Sequence, residues 1–189
     1  MSVLPQMTLE SLVVDLSHDP FNPELNFQVA QAYDKEKQTA SAVSFYLRTA
    51  EYGKDSHPSL VYVSLLKLAK CFEEQNDRLH TVSNCILQAV SYLPYRPEAY
   101  FWMARFHERQ QNWQECYTWA RMGGNQAINT PLPDDVDYHG TYCLMFERAV
   151  SAWWIGRKDE SVSTFQRLLK MDIAPEYRQA VEDNLARII

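Results

Sequence analysis

Pro97-Glu98-Ala99-Tyr100-Phe101-Trp102-Met103-Ala104-Arg105-Phe106, a polar turn at Gln110-Gln111-Asn112, and Trp113-Gln114-Glu115-Cys116-Tyr117-Thr118-Trp119-Ala120 together decide the fold. Apolar residues recur in both halves at the i, i+3, i+4, i+7 spacing of an amphipathic helix. Ala104 is a small residue within a large-residue stripe, a place where a second helix can approach closely. The stretch predicts two helices packed against each other across a short turn.

The same pattern recurs three more times at the interval of a paired-helix array. From Pro23 to about Tyr52 it reads Phe27-x-x-Ala30-x-x-Tyr33 and then Ala42-x-x-x-Tyr46. From about Ser59 to Leu93 it reads Leu65-x-x-Leu68-Ala69-x-x-Phe72 and then Val82-x-x-x-Ile86-x-x-Ala89. From about Tyr138 to Met171 it reads Ala149-x-x-Ala152-Trp153-Trp154-Ile155-Gly156 and then Ser161-x-x-x-Phe165-x-x-Leu168-Leu169. Ala30, Ala69, Ala104 and Ala149 hold one equivalent position. Breakers fall between the stripes, at Asn22-Pro23, Gly53, Pro58, Pro94, Pro97, Gly123-Gly124 and Gly156.

This pattern resembles the tetratricopeptide repeat, a helix-turn-helix of about 34 residues. The resemblance implies an all-α, right-handed helical-hairpin solenoid of about four divergent repeats with a C-terminal capping helix. Gly156 fits the turn glycine of that repeat, whereas Lys37, Asn76 and Gln111 stand near that place in the other copies. The expected organisation is a single domain over 1–189: an N-terminal helix and linker at 1–22, repeats at 23–171 with a loop at 123–137, and the cap at 172–189. Thr8 is an N-cap candidate for the first helix, whose stripe is Leu9, Leu12, Val13 and Leu16. Pro175 opens the cap, with Tyr177, Val181 and Leu185 on one face to cover the last core surface. The loop holds glycine, two prolines and three aspartates, cannot continue a helix and is expected to be exposed.

Composition narrows the function. A net charge of −6 with no run of Lys and Arg argues against nucleic acid and anionic membranes as partners. No apolar run approaches the ~18–20 residues of a membrane span. Met1–Met7 lack the basic and apolar regions of a secretory signal, which points to the cytoplasm. Cys71, Cys85, Cys116 and Cys143 are scattered without metal-ligand spacing and read as small buried packing residues.

No catalytic constellation emerges. Glycine-rich phosphate loops are absent, and His18, His57, His80, His107 and His139 stand too far apart in sequence to make an H-E-x-x-H pair. Asp135-Val136-Asp137, preceded by Asp134, has the D-x-D form that holds a divalent cation against a diphosphate in sugar-nucleotide transferases. Its helical neighbours favour a solvated acidic turn. The expectation is therefore no enzyme, no cofactor and no metal.

Thr39 to Gly53, Leu93 to Tyr100 and Ser151 to Arg157 together resemble the tetratricopeptide-like region attached to glycosyltransferase domains in cyanobacteria and their phages. In that family the transferase chemistry resides in a separate α/β domain. The resemblance implies a non-catalytic protein-interaction scaffold for a protein or peptide partner, a glycosyltransferase domain among them. A carbohydrate- or sugar-nucleotide-binding accessory and a self-assembling structural protein remain alternatives.

The first helix of each pair lines the groove of such an array. By register the groove positions are Phe27, Gln31 and Asp34; Leu66, Lys70 and Glu73; Phe101, Arg105, Glu108 and Arg109; and Phe146, Val150 and Trp153. Gln31, Lys70, Phe101, Arg105, Arg109 and Trp153 are the candidates for partner contact, since arginine and aromatic residues concentrate binding energy. Phe27 and Gln31 occupy places where carboxylate-clamping tetratricopeptide proteins carry Lys and Asn, which disfavours that mode.

Overall fold

In the computed structural model, which describes residues 8–75, 78–126 and 130–188, three helix-to-helix turns share one geometry. Lys37, Gln111 and Gly156 all take the left-handed backbone, at φ 61°, 55° and 83°. The N–H of each donates to the carbonyl three residues back, and the next N–H donates to the carbonyl five back: Gln38 to Tyr33 at 2.9 Å, Asn112 to His107 at 2.9 Å and Arg157 to Ala152 at 2.8 Å. This pair of hydrogen bonds satisfies carbonyls that a helix end leaves open. Lys37 and Gln111 therefore make the turn that a glycine makes in the fourth repeat, although an L-residue there is strained by about 1–2 kcal/mol. Asn76 lies outside the described residues, as do Met1–Met7, 127–129 and Ile189.

All ten helices among the described residues are α-helices, and no strand occurs among them. They fall into two compact units. The first runs to Leu93 and takes in Pro131–Asp134; the second comprises Pro94–Thr130 and Asp135–Ile189.

The first unit holds α1 (Leu9–His18), α2 (Pro23–Lys35), α3 (Thr39–Tyr52), α4 (Pro58–Glu74) and α5 (Leu79–Tyr92). Side-chain oxygens start two of these helices: Thr8 Oγ1 accepts from the Ser11 N–H at 3.3 Å, and Asn22 Oδ1 accepts from the Glu24 and Leu25 N–H groups at 3.0 and 3.1 Å. Each helix packs on the next, and α2 also packs on α4. Ala30 and Ala69 are fully buried, as the close approach of paired helices requires. Leu12 and Leu16 of α1 cover Val29, with Leu25, Tyr33 and Phe45 around them.

The second unit holds α6 (Pro97–Arg109), α7 (Trp113–Gly123), α8 (Thr141–Trp154), α9 (Lys158–Leu168) and α10 (Pro175–Ile188). Ala104 and Ala149 are again fully buried. The Ser161 hydroxyl crosses the fourth hairpin and donates to the Ala149 carbonyl at 2.7 Å. Helix α10 seals the end: Val181 joins Phe165, Leu168 and Ile173 in one core cluster. The Arg178 guanidinium donates to the Leu169 and Met171 carbonyls at 3.0 Å each, capping the end of α9.

The helix stops at Gly123-Gly124 as expected, with Gly123 the last residue of α7 rather than the first of the loop, buried so tightly that a Cβ would lie 2.6 Å from Tyr100 Cβ and 3.0 Å from Leu144 Cδ2. One expectation changes: the loop that follows is not simply exposed. In the first unit the Lys67 ammonium pairs with Asp134 at 2.7 Å. In the second, Arg96, buried and paired with Glu98 at 2.6 Å, donates to Thr130 Oγ1 at 3.0 Å and to its carbonyl at 2.9 Å. The Trp102 indole N–H holds the Val136 carbonyl at 2.7 Å, and Val136 is buried. Prolines break the helix here, and long polar side chains then fasten the loop.

Candidate binding cleft

The first helices of the third and fourth repeats, α6 and α8, pack side by side, and α10 packs on α8. Between them the second unit holds a cleft of about 460 Å³. Arg105 and Glu108 of α6 lie one turn apart on its wall. Phe146, Glu147 and Val150 of α8 form the next face, Glu176, Tyr177 and Ala180 of α10 the third, and Asp137 and His139 the loop side. Helical periodicity places each group on one face, since residues three and four apart are neighbours on a helix surface.

The Arg105 guanidinium lies 5.5 Å over the Phe101 ring, and that ring meets Tyr138 at 5.4 Å. Across the cleft Phe146 and Tyr177 meet edge to face at 5.4 Å, and Tyr177 meets Tyr142 at 5.1 Å. Glu147 is 6% exposed. Burial, and secondarily the neighbouring Glu108 carboxylate, raise its pKa to about 7, while Arg105 and Arg109 act in the opposite direction. Burial also pushes the Tyr177 and Cys143 hydroxyl and thiol upward, and these two groups are hydrogen-bonded to one another.

Of the residues the register singles out, Arg105 lines this cleft, and Arg109, exposed and one turn further, is felt by Glu147. Phe101 is fully buried and supports Arg105 from beneath, so it offers a partner no surface. Trp153 is half-buried under the Lys158 ammonium, 4.8 Å from its ring, and does not line the cleft. Gln31 and Lys70 belong to the first unit. Gln31 lines a cleft of about 410 Å³ with Phe27, His57 and Pro133, and Lys70 is half-buried on α4. Phe27 and Leu66, read as groove residues, are buried at 4% and 0% exposure.

Register missed Glu147 and Tyr177. Glu147 interrupts an apolar stripe two residues before the buried Ala149, which was the available signal. Tyr177 comes from the cap, outside the repeat register. The acidic triplet does not converge on a point: Asp134 pairs with Lys67, and Asp135 Oδ1 accepts from the Asp137 N–H at 2.9 Å. Among the described residues no group of three or more His, Cys, Asp or Glu side chains is arranged to hold a metal. All four cysteines are free and buried.

A larger cleft of about 800 Å³ lies in the first unit between α3 and α5, floored by Val61, Leu65 and Leu68 of α4, with Leu47 and Leu87 partly exposed at its edges. No helix of the described residues is long and apolar enough to cross a membrane.

No family model matches the sequence, and no curated protein does. Solved structures match in fold. MamA superposes with a TM-score of 0.65 at 12% identity, covering 95% of this chain and 89% of that one. MamA 41-end from Desulfovibrio magneticus superposes with 0.63 at 10% identity, over 86% and 82%. A protein described as a thermophilic TPR protein of Thermus thermophilus gives 0.60 at 13% identity, over 94% and 89%. The fold is thus the all-α, tetratricopeptide-like array of helical hairpins that the repeats imply.

Proposed function

We propose that this protein is a non-catalytic interaction scaffold that holds an extended segment of a partner protein in the cleft between α6, α8 and α10. One observation carries the reading: the first helices of successive hairpins and the cap converge on an open cleft that mixes aromatic walls, an arginine and a buried carboxyl. Such a surface suits recognition, with a few convergent polar groups fixing orientation. The fold supports the same role, because stacked hairpins present concave surfaces. A glycosyltransferase domain is the partner class favoured by the sequence resemblance, and the cytoplasm is the setting favoured by composition.

The test is affinity capture with the wild type and with Arg105→Glu, Arg109→Glu, after circular dichroism has shown both to be helical. A partner whose recovery differs between the wild type and the double variant, in either direction, is the expected result. Equal recovery refutes the placement of the site. No partner for either protein, with concentration-dependent light scattering, replaces the reading with self-assembly.

A further inference from the structure

The cleft of the second unit is negative on balance. Glu108, Asp137, Glu147 and Glu176 line it against a single guanidinium, that of Arg105, which is laid over Phe101. Glu147 differs from the other three. It is more than nine-tenths buried, lines the cleft, and among the described residues its carboxyl makes no hydrogen bond and no ion pair. The hydrogen bonds that do reach this residue, from Ser151 and Cys116, end on its backbone carbonyl. A carboxyl set this deeply with no protein partner loses much of its hydration. Here it faces an open cleft, where an incoming group can complete it.

The chemistry of that group follows from the surroundings. An anion would gain Arg105 but would meet the carboxylates of Glu108, Asp137 and Glu176. An apolar side chain would seal Glu147 from water with nothing to pair it. A cation on an aliphatic stem gains on both counts: its head meets Glu147 and Glu108, and its stem lies along Phe146 and Tyr177, whose edge-to-face pair presents an electron-rich ring face. A volume of about 460 Å³ admits a long side chain with its flanking backbone.

We propose that this cleft takes the lysine or arginine side chain of an extended segment of the partner protein, with Glu147 as the group that receives its charge. The assignment rests on the reading of the protein as an interaction scaffold. Glu147 defines the ligand's sign, and Arg105 holds the rim against Phe101 rather than attracting the ligand.

A random peptide library displayed on phage and selected on the full chain tests this. Lysine or arginine fixed at one peptide position is the expected outcome. In fluorescence anisotropy, replacing that residue by norleucine weakens binding to the wild type by about tenfold or more. Glu147→Gln weakens binding of the parent peptide, and the norleucine change costs it less than it costs the wild type. Circular dichroism and melting establish that the Gln variant is folded. Arg105→Gln binds the basic peptide as tightly as the wild type or more so. Selected peptides that lack a basic residue, that bind Glu147→Gln unchanged, or that are lost in Arg105→Gln overturn the cation site and leave the scaffold reading standing. A library from which nothing is enriched overturns both.

Discussion

Replacing Glu147 by glutamine turns the buried carboxyl into a stability measurement. In the folded chain its pKa is raised from 4.5 to about 7, chiefly by burial. The folded state therefore keeps a proton that the unfolded state releases, and stability falls as pH rises through that interval. The penalty is absent below 4.5, grows between 4.5 and about 7, and is complete above. At ~1.4 kcal/mol per pH unit it amounts to about 3 kcal/mol. Glutamine has no such penalty, and any cost of its amide is the same at every pH. The variant should thus gain about 3 kcal/mol on the wild type between about pH 4.5 and pH 8, while other titrating groups cancel in the comparison. Urea unfolding followed by tryptophan fluorescence isolates the relevant part of the chain, because Trp102, Trp113, Trp119, Trp153 and Trp154 all lie in the second unit. Wild type and variant separated by the same amount at every pH would refute the assignment of Glu147 as a carboxyl that burial keeps protonated near neutrality.

The same unfolding assay reaches further sites. Gly123→Ala should lose about 1–3 kcal/mol, because its new methyl would meet Tyr100 and Leu144 at 3.0 Å or less, whereas Gly124→Ala, whose nearest neighbour is a carbonyl of its own turn at 3.4 Å, should stay within about 0.5 kcal/mol. Gly156→Ala should lose about 1 kcal/mol through its left-handed φ alone, since nothing lies within 4 Å of the added carbon, and Gln111→Gly should be neutral or slightly stabilising. Arg96→Met removes the ion pair of the buried Glu98 carboxylate and the hydrogen bonds to Thr130; a loss of about 3 kcal/mol is expected, with faster amide exchange in the loop after Thr130.

The helices were legible because their physics is local. Apolar spacing at the helical period, a small residue at Ala30, Ala69, Ala104 and Ala149, and breakers at Pro23, Pro58, Pro97 and Pro175 together place the hairpins. The turns at Lys37 and Gln111 were harder to read, because the backbone takes a left-handed conformation there without the glycine that would announce it. The loop's anchorage was hidden for another reason: Lys67, Arg96 and Trp102 reach Asp134, Thr130 and Val136 over more than thirty residues of sequence, and no periodic signal records such a pairing. Of two neighbours that register singles out, Arg105 lines the cleft and Phe101 lies buried against Tyr138 and Arg105. Glu147 carried the weakest signal, one charge within an apolar face, and Tyr177 none, because the cap helix follows no repeat.

The four buried cysteines divide evenly, Cys71 and Cys85 in the first unit and Cys116 and Cys143 in the second. Burial pushes the Cys71 and Cys116 thiols up to about 12 and raises the other two as well. Since the thiolate is the reactive form, the native chain should react slowly with alkylating and oxidising reagents near neutral pH. Each thiol becomes a clock that starts only when its helix pair breathes. Labelling kinetics, resolved by peptide mass, would time the opening of the two halves separately without any added probe.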